Sequence, residues 1–274
     1  MKTFNGKAIY NPSGKAGEYS YWACNFYVGC SNGCTYCYCK KGILAGAMGQ
    51  DKPQLKKCFL GSEEYALFCF ESEVNKNLVE LQKHGLFFSF TTDPMILETK
   101  SLTIAAVKIC NKLNVPVSVL TKEAGYVYLL GFSSEIEMNK KLISVGFTLT
   151  GHDELEPNAS TNEQRIRAME LCKQSGYNTF ASLEPIINFA DTLEMIEKTQ
   201  GVCDLYKIGL ESGKSYPKKM LAEFIEQCCL KSARMSKIYF KDSILKQAGI
   251  SRDSLPEYCV NRDYHLHGSF YNEP

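Results

Sequence analysis

Gly29-Cys30-Ser31-Asn32-Gly33-Cys34-Thr35-Tyr36-Cys37-Tyr38 puts three cysteines into one polar, glycine-containing turn at CxxxCxxC spacing. The pattern offers three thiolates and builds in no fourth. A four-iron cluster that only carries electrons is normally closed by four cysteines, so three ligands leave one iron open to bind something else. Zinc is the alternative, with Cys39 or Cys24 as fourth ligand, because structural zinc takes four thiolate or imidazole ligands in a closed tetrahedron. Zinc ribbons bring two CxxC-like pairs from separate knuckles, and no second pair occurs here. Buried inert cysteine is the third reading, and it suits apolar segments better than this loop.

Outward from the loop, short apolar runs rich in β-favouring residues recur. They are Trp22 to Val28, Leu86 to Phe90, Val117 to Leu120, Val145 to Leu149, Thr179 to Leu183, Leu205 to Ile208 and Ile238 to Phe240. Segments of helical period lie between them, at the spacing of βα units in a parallel sheet. Ser160 with Glu163 reads as a capping box, Ile166, Ala168, Met169 and Cys172 form an apolar stripe, and Gly176 is a stop. A helix is expected over roughly 161–175. Ser101 likewise opens a run with Ile104, Ala105, Ile109 and Leu113, ended by Asn114. Six or seven such units make an open or partly closed barrel, whose chemistry belongs at the C-terminal ends of the strands. The cysteine loop follows the first strand and sits at that end.

The chain has 274 residues, enough for one large domain or two small ones, and its 45% hydrophobic and 22% charged content is ordinary for a soluble globular protein. No linker or repeat divides it. The expected layout is an N-terminal extension over 1–20, a barrel over 21–210, and a helical and strand extension over 211–274 packed on it. No apolar stretch reaches the roughly 18–20 residues that cross a bilayer, and no secretory h-region follows Met1, so a cytoplasmic protein is expected. Thirteen cysteines then read as thiols, ligands or core fillers. An oxygen-sensitive cluster among so many thiols suits an anaerobic setting. No auxiliary cluster is expected, since only Cys228-Cys229 comes close to a second group.

Net charge is +1, so no global basic field announces nucleic acid. Its distribution is uneven. In residues 1–60 eight lysines face only Glu18 and Asp51, and a second basic group comprises Lys214, Lys218, Lys219, Lys231, Arg234, Lys237 and Lys241. Beside the cluster-bearing mouth they could meet phosphates; on unrelated faces they would only be solvated.

Polar residues punctuate the strand ends: Thr91-Thr92-Asp93-Pro94, Thr121-Lys122, Thr148-Leu149-Thr150-Gly151 leading to Glu156-Pro157 and Arg165, Glu184-Pro185, and Lys207. With Ala8-Ile9-Tyr10-Asn11-Pro12, Gly17-Glu18-Tyr19 and Asn25-Phe26-Tyr27-Val28-Gly29-Cys30, they stand in an order that resembles the spore photoproduct lyase-like branch of the radical S-adenosylmethionine (SAM) superfamily. The similarity spans nearly the whole chain. The cysteine spacing, with Tyr36 before the last Cys, resembles the superfamily's signature.

That resemblance implies a partial (β/α)6 TIM-like barrel in one α/β domain, a [4Fe–4S] cluster on Cys30, Cys34 and Cys37, and SAM cleaved by an electron from an external donor. It also implies Thr92 and Asp93 near the SAM amino group, and Lys122 and Arg165 near its carboxylate. Thr148 or Thr150, with Glu184, would lie near ribose and adenine, and the backbone of Tyr36 would touch adenine. Arg165 and Glu156 could equally form a structural pair. Lys207 is a candidate for a substrate role or for satisfying strand carbonyls. Cys39, where the branch often has Ala, could donate hydrogen, bind a metal or be inert; Cys259 is a second candidate donor. Nucleic acid is the favoured substrate class, with a peptide or small metabolite as the alternative.

Overall fold

A computed structural model describes residues 3–131, 138–232 and 235–267. The strands are β1 (Ile9–Tyr10), β2 (Ala23–Cys24), β3 (Tyr27–Val28), β4 (Gln54–Leu55), β5 (Leu86–Phe88), β6 (Val117–Thr121), β7 (Ile143–Thr148), β8 (Asn178–Ile186), β9 (Leu205–Leu210) and β10 (Lys237–Phe240). The helices are α1 (Gly14–Gly17), α2 (Ala45–Met48), α3 (Glu63–Lys76), α4 (Leu78–His84), α5 (Lys100–Lys112), α6 (Asn162–Gln174), α7 (Phe189–Lys198), α8 (Lys218–Lys231) and α9 (Asp242–Ala248).

Eight strands form one sheet in the order β1-β2-β5-β6-β7-β8-β9-β10, parallel throughout except for β1, which pairs antiparallel with β2. All six residues of β7 are buried, as expected of a parallel strand covered on both faces. One core lies between sheet and helices. A smaller one, of Phe87, Phe180, Leu205 and Tyr239, fills the concave side, where Tyr264 and Leu266 pack against it. Gly146 in β7 is paired with Phe180, whose ring occupies the space a Cβ would need.

The six parallel strands β2 and β5–β9 form the partial barrel. β10 adds a seventh parallel strand from the C-terminal segment, in register with β9 from Lys237 opposite Leu205 to Phe240 opposite Ile208. Three local expectations shift. The run from Trp22 to Val28 splits, because the buried Asn25 side chain accepts from Phe90 N and donates to Tyr10 Oη; β3 then leaves the sheet to pair with β4. The same exchange shortens the next strand to Leu86–Phe88. The capping box of α6 belongs to Thr161 and Gln164 instead of Ser160 and Glu163. Ser160 Oγ is engaged with Ala124 N and Glu123, so the next hydroxyl takes over the cap. Asn114, at φ +54°, ends the α5 segment in the left-handed conformation that Asn tolerates. No helix among the described residues is long and apolar enough to cross a membrane.

Candidate functional site

The cysteine loop follows β3 and is fastened at three levels. Gly29 adopts φ +83°, and a Cβ there would lie 2.5 Å from Lys52 O, so only glycine fits. Cys30 N donates to Gln50 O at 3.0 Å, and Thr35 N to Leu155 O at 3.0 Å. Asn158 reaches back with its backbone N–H to Asn32 O and its side chain to Ser31 O. The loop is thus tied to the segment between β7 and α6, whose residues end up beside the cysteines.

Cys30, Cys34, Cys37 and Cys39 share a cavity of about 470 Å³ with Tyr36, Thr92, Asp93, Lys122, Thr148 and Glu184. Tyr36 belongs to the cysteine loop; Thr92, Asp93, Lys122, Thr148 and Glu184 lie at or just beyond the C-terminal ends of β5, β6, β7 and β8, where the sequence placed the chemistry. Arg165, Thr150 and Lys207 do not line it. The fully buried Arg165 gives Nε to Ser160 O (2.7 Å), Nη1 to Thr148 O (2.6 Å) and Nη2 to Glu156. Its contact is therefore with the wall from behind. Thr150 Oγ1 accepts from His152 N, and Lys207 lies below the cavity, donating to Tyr19 O at 2.8 Å. Burial, with Lys241 nearby, brings Lys207 down to about 7.

Asp93 is the hub of the site. Its Oδ1 accepts from Met95 N (3.0 Å) and Thr121 Oγ1 (2.6 Å), and its Oδ2 from Asn32 Nδ2 (2.9 Å) and Lys122 N (2.7 Å). One carboxylate joins the cysteine loop to the end of β6. Lys122 Nζ lies 5.6 Å from the centre of the Tyr36 ring and 4.0 Å from Glu156 Oε1, while Tyr36 Oη donates to Glu156. Burial pulls Lys122 down, but Cys34, Glu156 and Asp93 outweigh it and hold the ammonium above the ordinary lysine value. Thr92 Oγ1 is buried with no hydrogen-bond partner among the described residues, an orphan in the cavity wall of the kind a ligand satisfies.

Burial pushes the Cys30 thiol up to about 12, whereas a hydrogen bond from Cys39 brings Cys37 down to about 6. Among the described residues no three His, Cys, Asp or Glu side chains converge on one single-ion position. Three thiols carried on one CxxxCxxC loop and facing one cavity are the donor type that an iron–sulfur cluster takes. The donor set therefore fits a cluster on Cys30, Cys34 and Cys37. Cys39 is 5% exposed and its Sγ is 3.7 Å from Phe90 O.

Lys15, Lys40, Lys41 and Lys241 also line the cavity, so part of the N-terminal basic group does sit at its mouth. Most of the second group does not line it: Lys219 and Lys231 pair with Glu223 and Glu197 on helices, and Arg234 lies outside the described residues; at the mouth itself Lys40 pairs with Asp51, and Lys41 and Lys214 with Glu211. Away from the site, Cys229 and Cys259 approach to 3.6 Å. The sequence reading missed Asn32, Tyr19 and Lys241 as parts of the site. A lysine directly after the strand ending at Phe240 repeats the Thr121-Lys122 arrangement, and that was the available signal for Lys241.

No protein-family model and no curated protein matches the sequence. Solved structures do match. A cysteine-to-serine mutant of spore photoproduct lyase superposes with a TM-score of 0.64 at 14% identity, over 88% of this chain and 81% of that one. Spore photoproduct lyase complexed with dinucleoside spore photoproduct gives 0.61 at 14% identity, over 84% and 79%. SuiB of Streptococcus suis bound to precursor peptide SuiA gives 0.57 at 10% identity, over 86% of this chain and 52% of that one. A further lyase structure, a mutant with bound AdoMet and the dinucleoside, is spanned over only 62% of its length. The chain has the partial-barrel fold of the radical SAM enzymes spore photoproduct lyase and SuiB.

Proposed function

We propose that this protein is a radical SAM enzyme, with Cys30, Cys34 and Cys37 holding a [4Fe–4S] cluster and the adjoining cavity holding SAM. The observation that carries this is the meeting of three thiols from one CxxxCxxC loop with Asp93, Lys122 and Glu184 from three strand ends in one cavity. When bound and reduced by an external donor, the cluster supplies the electron that cleaves SAM to a 5′-deoxyadenosyl radical, which takes hydrogen from a substrate.

The chain's own part is to bind and orient. Lys122, held cationic by its neighbours, is suited to the SAM carboxylate. Asp93 sets negative charge near the amino group, although its four acceptor positions are engaged by the protein, and Thr92 Oγ1 supplies the missing partner for a polar atom. Glu184 and Thr148 provide acceptors for ribose and adenine. Arg165 acts through Thr148 O and Glu156, positioning the wall without touching the ligand. The role of Cys39 as hydrogen donor is supported by its place in the wall, 5% exposed beside Cys37.

Nucleic acid is the substrate class this reading favours, on the strength of Lys15, Lys40 and Lys41 at the mouth and of the lyase that holds a dinucleoside. Peptide is the second reading, supported by SuiB with its precursor peptide. Binding to single- and double-stranded DNA that falls steeply between low and moderate salt would favour the first, since phosphate contacts release counterions. Salt-indifferent binding would remove it.

The decisive experiment is anaerobic reconstitution with iron and sulfide, reduction, and chromatographic detection of 5′-deoxyadenosine from SAM, with Cys34→Ala as control. Product that vanishes in the control is the expected result. Stoichiometric zinc and indifference to SAM would shift the assignment to a zinc-stabilised binding module.

A further inference from the structure

At the cavity, β8, β9 and β10 lie side by side; Glu184 and Gly209 stand near the C-terminal ends of the first two, and Lys241 directly follows the third. Leu183 and Phe240 both stand opposite Ile208, and although the β8–β9 register shifts after Leu183, Glu184 and Lys241 flank Gly209 on either side. Lys241 is 2% exposed, and its Nζ is 2.8 Å from Glu184 Oε2 and 3.0 Å from Oε1. The pair can form only because β9 has no side chain between them. A Cβ on Gly209 would lie 2.7 Å from Lys241 Cδ and 2.9 Å from Glu184 Cδ.

Tyr19, from the N-terminal extension, closes the arrangement. Its Oη donates to Glu184 Oε2 at 2.9 Å and sits 2.6 Å from Ser182 Oγ. Its ring centre lies 4.7 Å from Lys241 Nζ and 4.8 Å from Lys207 Nζ. Lys241 Nζ also donates to Lys15 O at 3.2 Å and lies 3.8 Å from Glu18 Oε2. A half-buried carboxylate on the cavity wall is thus held by one residue from each chain extension. Of its roughly four acceptor positions, Tyr19 and Lys241 take three.

We propose that Lys241 is a positioning residue that, by reaching over Gly209, fixes Glu184 for SAM, so that the C-terminal strand β10 belongs to the cofactor site. The inference rests on the reading that the cavity binds SAM with Glu184 on its wall. With the ammonium buried and the carboxylate half-buried, the pair contributes little net stability over a well-packed apolar substitute, yet removing the carboxylate would leave a buried charge without its nearest partner. Its value here is the fixed place of one carboxylate.

The test is SAM affinity of the reconstituted protein, measured anaerobically by calorimetry, together with kcat and KM for deoxyadenosine formation. The variants are Lys241→Met, Lys241→Arg, Gly209→Ala and Glu184→Gln. Lys241→Met and Gly209→Ala should each weaken SAM binding about tenfold, equivalent to about 1.4 kcal/mol. Iron content should be unchanged and kcat at saturating SAM should stay within about threefold. Lys241→Arg, which keeps the charge, should recover most of the affinity. Gly209→Ala removes no charge and separates the pair by a methyl group alone, so it decides the matter if Lys241→Met does not fold. Wild-type affinity in Gly209→Ala and Lys241→Met, with Glu184→Gln weakened, would show that Glu184 needs no positioning and overturn the inference alone. A wild-type protein that binds iron but not SAM would overturn the proposed function first, and this inference with it.

Discussion

Replacing Asp93 by Asn tests whether one carboxylate carries the junction between the cysteine loop and the sheet. The amide keeps one oxygen and turns an NH2 toward two of the four donors that Asp93 now accepts. If the NH2 takes the Oδ1 place it confronts Met95 N–H and Thr121 Oγ1; if it takes the Oδ2 place, Lys122 N–H and Asn32 Nδ2. Thr121 can rotate its hydroxyl and Asn32 can flip its amide, but neither backbone N–H can turn away. In either orientation one buried backbone donor is stranded, which costs about 1–3 kcal/mol, and the surviving bonds lose the charge that strengthened them. The total is about 2–4 kcal/mol, which in a chain of this size lowers the melting temperature by roughly 5–10 °C. The assay is thermal unfolding paired with iron and sulfide analysis after reconstitution. Iron should fall too, because Asn32 is the side-chain anchor of the cysteine loop. A melting temperature within a degree of wild type and full iron loading would refute the reasoning.

Glu156→Gln should destabilise the chain by about 3 kcal/mol in urea unfolding, because the fully buried Arg165 loses its nearer counter-charge and keeps only Asp153 at 3.8 Å; a change below about 0.5 kcal/mol would show that Asp153 and the carbonyl partners suffice. Gly146→Ala should cost about 1–3 kcal/mol by overpacking against Phe180, and Phe180→Leu in the same chain should recover part of it. Additive losses in the double variant would argue against that contact. Lys207 titrates at about 7 in the folded chain against about 10.5 in a free lysine. The unfolded state binds the extra proton between those values, so the penalty is full below about pH 7 and absent above about pH 10.5. Stability should rise across that window by about 2–4 kcal/mol, allowing for the half-buried position of the side chain, and Lys207→Met should flatten the rise. A parallel pH profile in the variant would mean that another group supplies the slope.

The sequence made legible whatever depends on neighbours along the chain. Apolar runs at βα spacing marked the parallel strands, and polar residues directly after them marked the cavity wall, because parallel strands all deliver their C-terminal ends to one side. Asp93, Lys122, Thr148 and Glu184 were found in this way. Direction was harder. Arg165 sits one turn into α6, where its type fits a carboxylate ligand, but the helix turns it toward Thr148 O and Glu156, and only the packing of α6 on β7 decides between the two. Asn25 reads as an interruption too small to break a strand until Phe90 N and Tyr10 Oη are brought to it.

The pairing of Lys241 with Glu184 was the least accessible feature, and the reason is geometrical. The two residues are 57 positions apart and meet across an intervening strand, so the relation depends on sheet order and register together. The one local trace is Gly209, a glycine inside an otherwise bulky strand, Leu-Tyr-Lys-Ile-Gly-Leu. Glycine weakens a strand interior, and its presence there signals that something else occupies the space of the missing side chain. At Gly146 that occupant is an aromatic ring on the neighbouring strand, and the consequence is packing. At Gly209 it is an ion pair on the wall of the cavity, and the same local signal then bears on binding. What separates the two cases is the height of the glycine along its strand: Gly146 lies within the concave core, and Gly209 lies one residue before the C-terminal end of β9, at the level where the cavity begins.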